Sequence, residues 1–239
     1  MFIAVWMLYA ADRLLDARLL DGHAEPEQHL EARHFFHYRH RTGFLAGILG
    51  ASAALAPLLL RLPADAVHLY LILSGLLFGY FILIHATRSA HRFPKEIAVG
   101  IFFAAAIFIP TVARRPELRV ALLPSALLFA SLCSLNCLFI YAWERNPEFP
   151  LHAEHPVHAI TRFALAHLRL FAVIVTTMGT LLALLDRFAP WPIPLAIGFS
   201  AGLLLLLHYG RRRLSALTLR AAADLALLTP ILLFPFHRL

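Results

Sequence analysis

The chain has 239 residues, of which 60% are hydrophobic and only 15% are charged, and its mean hydropathy is +0.73. One soluble core of this length cannot bury so much apolar surface, so the composition excludes a soluble globular domain and indicates a polytopic membrane protein. The formal net charge of +7 does not indicate a nucleic-acid-binding protein, because the basic residues are scattered through the short connections between apolar segments.

Apolar stretches near the length of a membrane-spanning helix recur along the whole chain. They predict an all-α fold, a polytopic membrane helical bundle with about eight transmembrane helices in a single domain over residues 1–239. The predicted helices lie at about 1–18, 43–60, 66–86, 96–113, 119–144, 164–186, 191–209 and 215–235. Prolines inside several of these stretches do not exclude them, because membrane helices tolerate proline better than soluble helices do.

Small residues in the predicted helices indicate how the helices pack. Glycines four residues apart occur at Gly43/Gly47, Gly75/Gly79 and Gly198/Gly202. Glycines at this spacing let two helix backbones approach closely, so we expect tight helix contacts there. Cys133 and Cys137 share one apolar stretch, where a helix does not provide disulfide geometry, and we expect both to be reduced packing residues.

The distribution of basic residues predicts an orientation. Eight helices place alternate connections on opposite sides, and residues 12–42, 87–96, 145–169 and 210–220 hold 15 of the 21 Lys and Arg residues. The excess predicts that these connections face the cytoplasm, and we expect the protein in a bacterial inner membrane. The same side collects most polar clusters, which predicts a site at the cytoplasmic mouth of the bundle. In this orientation the N-terminus lies outside. We therefore expect either that the first helix carries the aspartates near its inner end, or that the chain lacks one upstream helix.

The first predicted helix contains two carboxylates, Asp12 and Asp16, within the stretch YAADRLLD. They are one helical turn apart, so both carboxylates share a helix face. Such a pair can hold Mg²⁺, which binds carboxylate and phosphate oxygens at the same time. The alternative is a solvated helix end with no ligand. Ionisable groups at a membrane boundary are costly, which favours a functional site.

YAADRLLD resembles the first aspartate-rich motif, NxxxDxxxD, of the UbiA superfamily of intramembrane prenyltransferases. Asp12 and Asp16 match its aspartates, and Leu8 stands in place of its asparagine. The stretch NCLFIYAWE is similar to the second acidic motif, with Asn136, Ile140 and Glu144 at four-residue steps and a carboxylate only at Glu144. The family has nine helices, one more than are predicted here.

The resemblance implies an Mg²⁺-dependent enzyme that transfers a prenyl group from a prenyl diphosphate to an aromatic or lipid acceptor within the membrane. Asp12, Asp16 and Glu144 would be the catalytic metal-binding residues. The substrate-binding residues would be Arg88, Arg92, Lys95, Asn136, Tyr141 and Arg145. Arginines suit diphosphate oxygens because they bind them in a bidentate manner, and aromatic rings such as that of Tyr141 can stabilise a carbocation.

Two alternatives remain open at this stage. The chain has 14 histidines, and two connections contain HxxHxxH, at His34/His37/His40 and His152/His155/His158. Neutral imidazole binds iron, zinc and copper, so a His-box membrane oxidase or a metal transporter is an alternative, although Arg39 and Arg41 oppose a cation site at the first stretch. The other alternative is a non-catalytic UbiA-like membrane protein, since fold alone does not establish function.

Overall fold

The computed structural model describes residues 39–86, 94–144, 158–186 and 190–230, together with Ile3, Trp6, Met7, Ala10, Ala11 and Leu14. Helices are the only regular secondary structure in these residues, which confirms the predicted all-α class. Residue contacts group the chain into two compact units, Met1–Val67 and His68–Leu239, and each is described by itself. The single domain over 1–239 stays a prediction.

Eight α-helices follow one another through the described ranges from residue 39 onward. They are α1 (Arg41–Leu59), α2 (Ala64–Ala86), α3 (Lys95–Arg114), α4 (Arg119–Glu144), α5 (Ala159–Ala166), α6 (Leu168–Leu185), α7 (Pro192–Gly210) and α8 (Ala216–Ala226). Single 3₁₀ turns, Pro116–Leu118 and Arg211–Arg213, precede α4 and follow α7. The six described residues between 3 and 14 are also helical.

Proline and capping side chains explain where several helices begin. Pro94 directly precedes α3, and Pro192 is the first residue of α7, where its missing N–H would have no helical partner anyway. Ser215 is the N-cap of α8, and its Oγ accepts a hydrogen bond from the backbone N–H of Thr218 over 3.1 Å. His158 caps α5 in the same way, since its Nδ1 accepts from the N–H of Ile160.

Five predicted helices match α1, α2, α3, α4 and α7 to within a few residues. The predicted helix at 164–186 is present as α6 over most of its length, but its start is wrong, because the helix is interrupted at His167, whose backbone leaves the helical region (φ −112°, ψ 21°), and α5 begins before residue 164. The His167 imidazole also contacts the carbonyl of Phe163 at 3.0 Å, a local bond that competes with regular helix geometry. The first and last predicted helices extend into residues outside the described part.

Five of the described helical segments are long and apolar enough to cross a membrane. They are Arg41–Leu59, Lys95–Arg114, Pro116–Trp143, Leu168–Leu185 and Pro192–Arg213. A shorter apolar stretch, Ala64–Tyr80, lies in α2. These lengths and compositions indicate an integral membrane protein.

Helix α4 is the centre of unit 2. It packs against α3, α6, α7 and α8, and its middle is buried at Leu132, Leu135, Leu138 and Phe139. These side chains form one hydrophobic core with Ala164, Leu168, Ala172, Val175, Ile197, Ala201, Leu204, Ala223 and Ala226. Small core residues on α6, α7 and α8 allow those helices to approach α4 closely.

Glycine sets the distance between two pairs of helices in unit 2. A Cβ atom at Gly179 on α6 would lie 2.8 Å from the Cα of Gly198 on α7. A Cβ at Gly100 on α3 would collide with the Ser134 Oγ and the Ala130 carbonyl oxygen of α4. The predicted close contact is therefore confirmed at Gly198.

The other predicted glycine contacts are confirmed only in part. No described atom lies within 4 Å of a Cβ built at Gly43, Gly75 or Gly79, so the expectation of close packing is wrong for these three in the described part of the chain. In unit 1, a Cβ at Gly47 would lie 2.8 Å from the indole ring of Trp6. Four-residue glycine spacing therefore identified tight contacts at Gly47 and Gly198 but not those at Gly100 and Gly179.

Candidate functional site

One end of unit 2 gathers polar side chains from several helices, and we call it the polar end. The hydroxyl of Thr161 on α5 donates a hydrogen bond to Oε2 of Glu96 on α3 over 3.1 Å. The indole of Trp143 on α4 donates to Nδ1 of His208 on α7, also over 3.1 Å. These contacts bring the starts of α3 and α5, and the ends of α4 and α7, to the same end, as the alternation of connections predicts.

Asn136 lies on α4, two turns before the helix ends at the polar end. Its residue surface is only 7% exposed. Its Oδ1 has no hydrogen-bond partner among the described residues. A buried amide oxygen that bonds to nothing costs free energy, so such an atom calls for a partner such as a ligand, an ion or water.

Glu96 is a carboxylate at the polar end that accepts a hydrogen bond from another helix. It lies in the first turn of α3, where the helix dipole favours a negative charge. Its partner Thr161 is buried. Glu96 and the exposed Asp224 of α8 both lie close enough to Cys137 on α4 for their charges to act on its thiol. Two acidic side chains from different helices therefore act electrostatically on the residue that follows Asn136 in α4.

The structure describes only some of the predicted site residues. Asp12, Asp16, Arg88, Arg92 and Arg145 lie outside the described residues, and so does the side chain of Glu144. Lys95 is exposed at the first position of α3, and Tyr141 is half-buried on the last turns of α4. Lys95 and the end of α4 thus lie at the same end of unit 2. The predicted convergence of Asp12 with them stays a prediction.

The histidines of the alternative metal site are described only in part. His34, His37, His152 and His155 lie outside the described residues, whereas His40 precedes α1 and His158 precedes α5. The Nδ1 atom of His158 already serves as the cap of α5. Within the described ranges, no three His, Cys, Asp or Glu side chains come together in a way that could hold a metal ion.

An aromatic cluster beside the polar end was not predicted from the sequence. Phe139 is fully buried, with its ring centroid 5.5 Å from that of Trp143 and 5.3 Å from that of His208. Trp143 and His208 are 65 residues apart, and nothing in the pattern of either helix indicates that they meet. The cluster positions the last turns of α4, which carry Tyr141, against α7.

Arginines surround the end of α7. Arg211 donates a hydrogen bond from Nη1 to the carbonyl of His208 over 2.8 Å, which satisfies one of the last helical carbonyl groups. The guanidinium carbon of Arg169, on α6, lies 5.6 Å from the centroid of the Tyr209 ring, a cation–π contact. The polar end therefore carries arginines on α6 and in the turn after α7, and the Glu96 carboxylate on α3.

Glu96 and Thr161 are the functional candidates that sequence reasoning missed. Glu96 lies in the stretch HRFPKE, whose basic residues indicate diphosphate binding, and Thr161 lies in the histidine-rich stretch. No single-sequence pattern pairs them, because they are 65 residues apart and meet only through helix packing. Comparison of the chain with protein-family models, with curated proteins and with solved structures found no match.

Proposed function

We propose that this chain is an intramembrane prenyltransferase of UbiA type, an eight-helix bundle in a bacterial inner membrane with its polar end in the cytoplasm. It transfers a prenyl group from a prenyl diphosphate to an aromatic or lipid acceptor with Mg²⁺ as cofactor. The proposal rests on the resemblance of YAADRLLD and NCLFIYAWE to the two acidic motifs of that superfamily. The described structure is consistent with this proposal, because it is all-helical, has apolar helices long enough to cross a membrane, and gathers polar side chains at one end of unit 2.

The observation that carries the proposal is the buried amide of Asn136. Asn136 occupies the first position of the second acidic motif, and its Oδ1 is free of partners among the described residues. A structural asparagine in an apolar bundle is expected to have its amide oxygen bonded to a neighbouring helix. An unbonded oxygen at a motif position is instead what a residue needs if it is to contact a ligand.

The available donor atoms fit Mg²⁺. Carboxylate and amide oxygens are the ligands that this hard cation accepts, and Asp12, Asp16, Glu144 and Asn136 supply both types. When bound, Mg²⁺ supplies Lewis-acid stabilisation of the diphosphate that departs. Of these four side chains the structure describes only Asn136.

The chain's own residues have distinct tasks in this reaction. Arg88, Arg92, Lys95 and Arg145 bind the diphosphate oxygens and neutralise the charge that develops as the C–O bond to the allylic carbon breaks. The diphosphate leaves with the bonding electrons, the acceptor forms the new bond to the allylic carbon, and a proton passes from the acceptor to the released diphosphate. The apolar bundle excludes water from the allylic cation, and Tyr141 offers an aromatic ring to it.

The test is binding of prenyl diphosphates of several chain lengths to detergent-solubilised protein, with and without Mg²⁺. Wild type is expected to bind only with Mg²⁺, and Asp12→Asn and Asp16→Asn are expected to abolish that binding because each keeps its shape and loses its charge. Glu117→Gln is the matched control. Glu117 is an exposed carboxylate in the turn between α3 and α4, at the opposite end of unit 2, and its loss should not change binding.

Two results would contradict the proposal. If wild type shows no Mg²⁺-dependent binding at any chain length, the non-catalytic alternative is the better description. If the purified protein instead carries iron, zinc or copper that is lost in variants of His34 or His37, the metal-histidine alternative replaces it.

A further inference from the structure

An apolar groove runs along the outside of unit 2 between α7 and α8. It has a volume of about 440 Å³, and its lining residues are Leu203, Leu206, Leu207, Ala222, Leu225, Ala226, Leu228 and Thr229. Thr229 is the one polar residue among them. Its hydroxyl is already engaged, because it bonds with the Ser200 hydroxyl and with the Ala196 carbonyl oxygen. The groove therefore offers hydrocarbon contact and no free polar group from Thr229.

An exposed aromatic side chain, Tyr209, lies on α7 beyond the groove, near the end of this membrane-spanning segment. Leu206 lines the groove and is 66% exposed, and Tyr209 follows it by three residues on the same helix with 61% of its surface exposed. Exposed tyrosines at the ends of membrane helices lie at the level of the lipid headgroups. Leu206 and Tyr209 thus form an exposed strip of α7 that extends from the level of the lipid hydrocarbon to the level of the headgroups, and we call it the α7 strip.

Three arginines, Arg211, Arg212 and Arg213, follow shortly after Tyr209 in the chain. Arg212 and Arg213 are exposed, and no hydrogen bond or ion pair joins the side chain of either to another described residue. Arg169, which packs over the Tyr209 ring, adds a third guanidinium group from α6. Arg211 is held by the His208 carbonyl and keeps the turn in place. Guanidinium groups at this level match phosphate oxygens, which they bind in a bidentate manner.

We propose that the α7 strip is a binding site for an acidic glycerophospholipid, with an acyl chain in the α7–α8 groove and the phosphate among Arg169, Arg212 and Arg213. A membrane lipid combines the two properties that the α7 strip requires, an apolar chain and an anionic headgroup joined end to end. Electrostatic complementarity selects an acidic lipid over a zwitterionic one, because a net negative headgroup gains from the basic cluster without presenting a cation to it. Neither Asn136 nor Glu96 lines the groove.

The experiment is native mass spectrometry of the purified full chain with added dioleoyl phosphatidylglycerol or dioleoyl phosphatidylcholine, which share their acyl chains and differ in headgroup. Wild type is expected to retain phosphatidylglycerol preferentially. The double variant R212Q/R213Q should lose that preference, by about fivefold for each arginine removed. The control R114Q/R115Q removes two exposed arginines at the opposite end of α3 and should bind phosphatidylglycerol as wild type does.

The groove is tested separately by filling it. Leu206→Trp and Leu225→Trp change two exposed lining residues, so both variants should fold. Each should weaken retention of both lipids, whereas Leu184→Trp, at a residue of α6 that is 76% exposed and outside the groove, should not.

Any of five results would overturn the proposal, and four of them concern lipid binding. They are equal retention of the two lipids by wild type, unchanged binding in R212Q/R213Q, an equal loss in the R114Q/R115Q control, and no effect of filling the groove. A dimer in the mass spectrum that dissociates in Leu206→Trp would also overturn it, because a second copy of the chain would then occupy the groove.

Discussion

The indole Nε1–H of Trp143 on α4 donates a hydrogen bond to Nδ1 of His208 on α7 over 3.1 Å. An indole nitrogen can only donate, so Nδ1 of His208 must accept and carries no proton in this arrangement. The buried ring of Phe139 packs against both partners. One polar contact and two ring contacts therefore join the central helix to α7 at the polar end.

The Trp143–His208 bond should be measurable as a coupling between two substitutions. Trp143→Phe and His208→Phe each remove one partner, and the double variant should be more stable than the sum of the single effects predicts. We expect a coupling free energy of about 0.5–1.5 kcal/mol, the range for interhelical hydrogen bonds in membranes. Unfolding of the four proteins in mixed micelles gives the value. Trp143→Phe combined with Tyr209→Phe is the control, and a coupling of the same size there would contradict the bond.

Gly179→Ala adds a single methyl group and should nevertheless destabilise unit 2. The added methyl group would lie 2.7 Å from the carbonyl oxygen of Pro194 and 2.8 Å from the Cα of Gly198, and both are backbone atoms that cannot rotate away. We expect a loss of about 1–3 kcal/mol, the usual cost of overpacking. Gly75→Ala is the control, because no described atom lies within 4 Å of its Cβ position, and alanine there should keep or raise thermal stability. Equal melting temperatures for the two variants would argue against the close α6–α7 contact.

Thr161→Val should show how much the hydrogen bond from Thr161 to Glu96 contributes to the free energy of unfolding. Valine keeps the shape of threonine and removes the hydroxyl that donates to Oε2 of Glu96, so a half-buried carboxylate loses a hydrogen bond. We expect about 1.5–3 kcal/mol of lost unfolding free energy, typical for a hydrogen bond to a charged group. Thr180→Val is the matched control, since the exposed Thr180 hydroxyl bonds only to the Thr176 carbonyl of its own helix. The melting temperatures of both variants test this prediction. Equal shifts in the two variants would mean that the bond to Glu96 adds nothing and that Thr161 contributes through packing alone.

Asn136→Leu separates a structural role from a ligand-binding role. Leucine has a similar size and removes an amide oxygen that lacks a partner in the described residues, so stability should stay equal or rise by about 1 kcal/mol. Binding of a prenyl diphosphate with Mg²⁺ should fall in the same variant. Thermal unfolding and ligand binding are measured on one preparation. A large loss of stability would show that the amide is a structural element of the bundle.

The positions of the helices followed from the sequence because a spanning helix needs a continuous apolar stretch, and α3, α4 and α7 begin and end within a few residues of expectation. The interruption at His167 did not follow, because the apolar residues continue on both sides of it. A single histidine between two apolar segments has no pattern that distinguishes a kink from a continuous helix.

Helix partners were harder to predict than helix positions. The glycine pair Gly75/Gly79 has the expected spacing and no close neighbour in the described part, whereas the isolated Gly100 and Gly179 make the tightest contacts. Spacing describes one helix, and a contact also depends on what the facing helix presents. The same limit applies to the site: Asn136 was selected as a motif residue, but the pairing of Glu96 with Thr161 depends on packing between helices far apart in the sequence.

The close contact of Gly179 with Gly198 has a consequence for how the chain assembles. Helices α6 and α7 are joined by only the short connection 186–191, so their contacts are local in sequence and close with little loss of chain entropy. Two adjacent helices whose backbones already fit can associate as a hairpin soon after both have entered the bilayer. We therefore expect α6 and α7 to associate with each other before α4 docks against them.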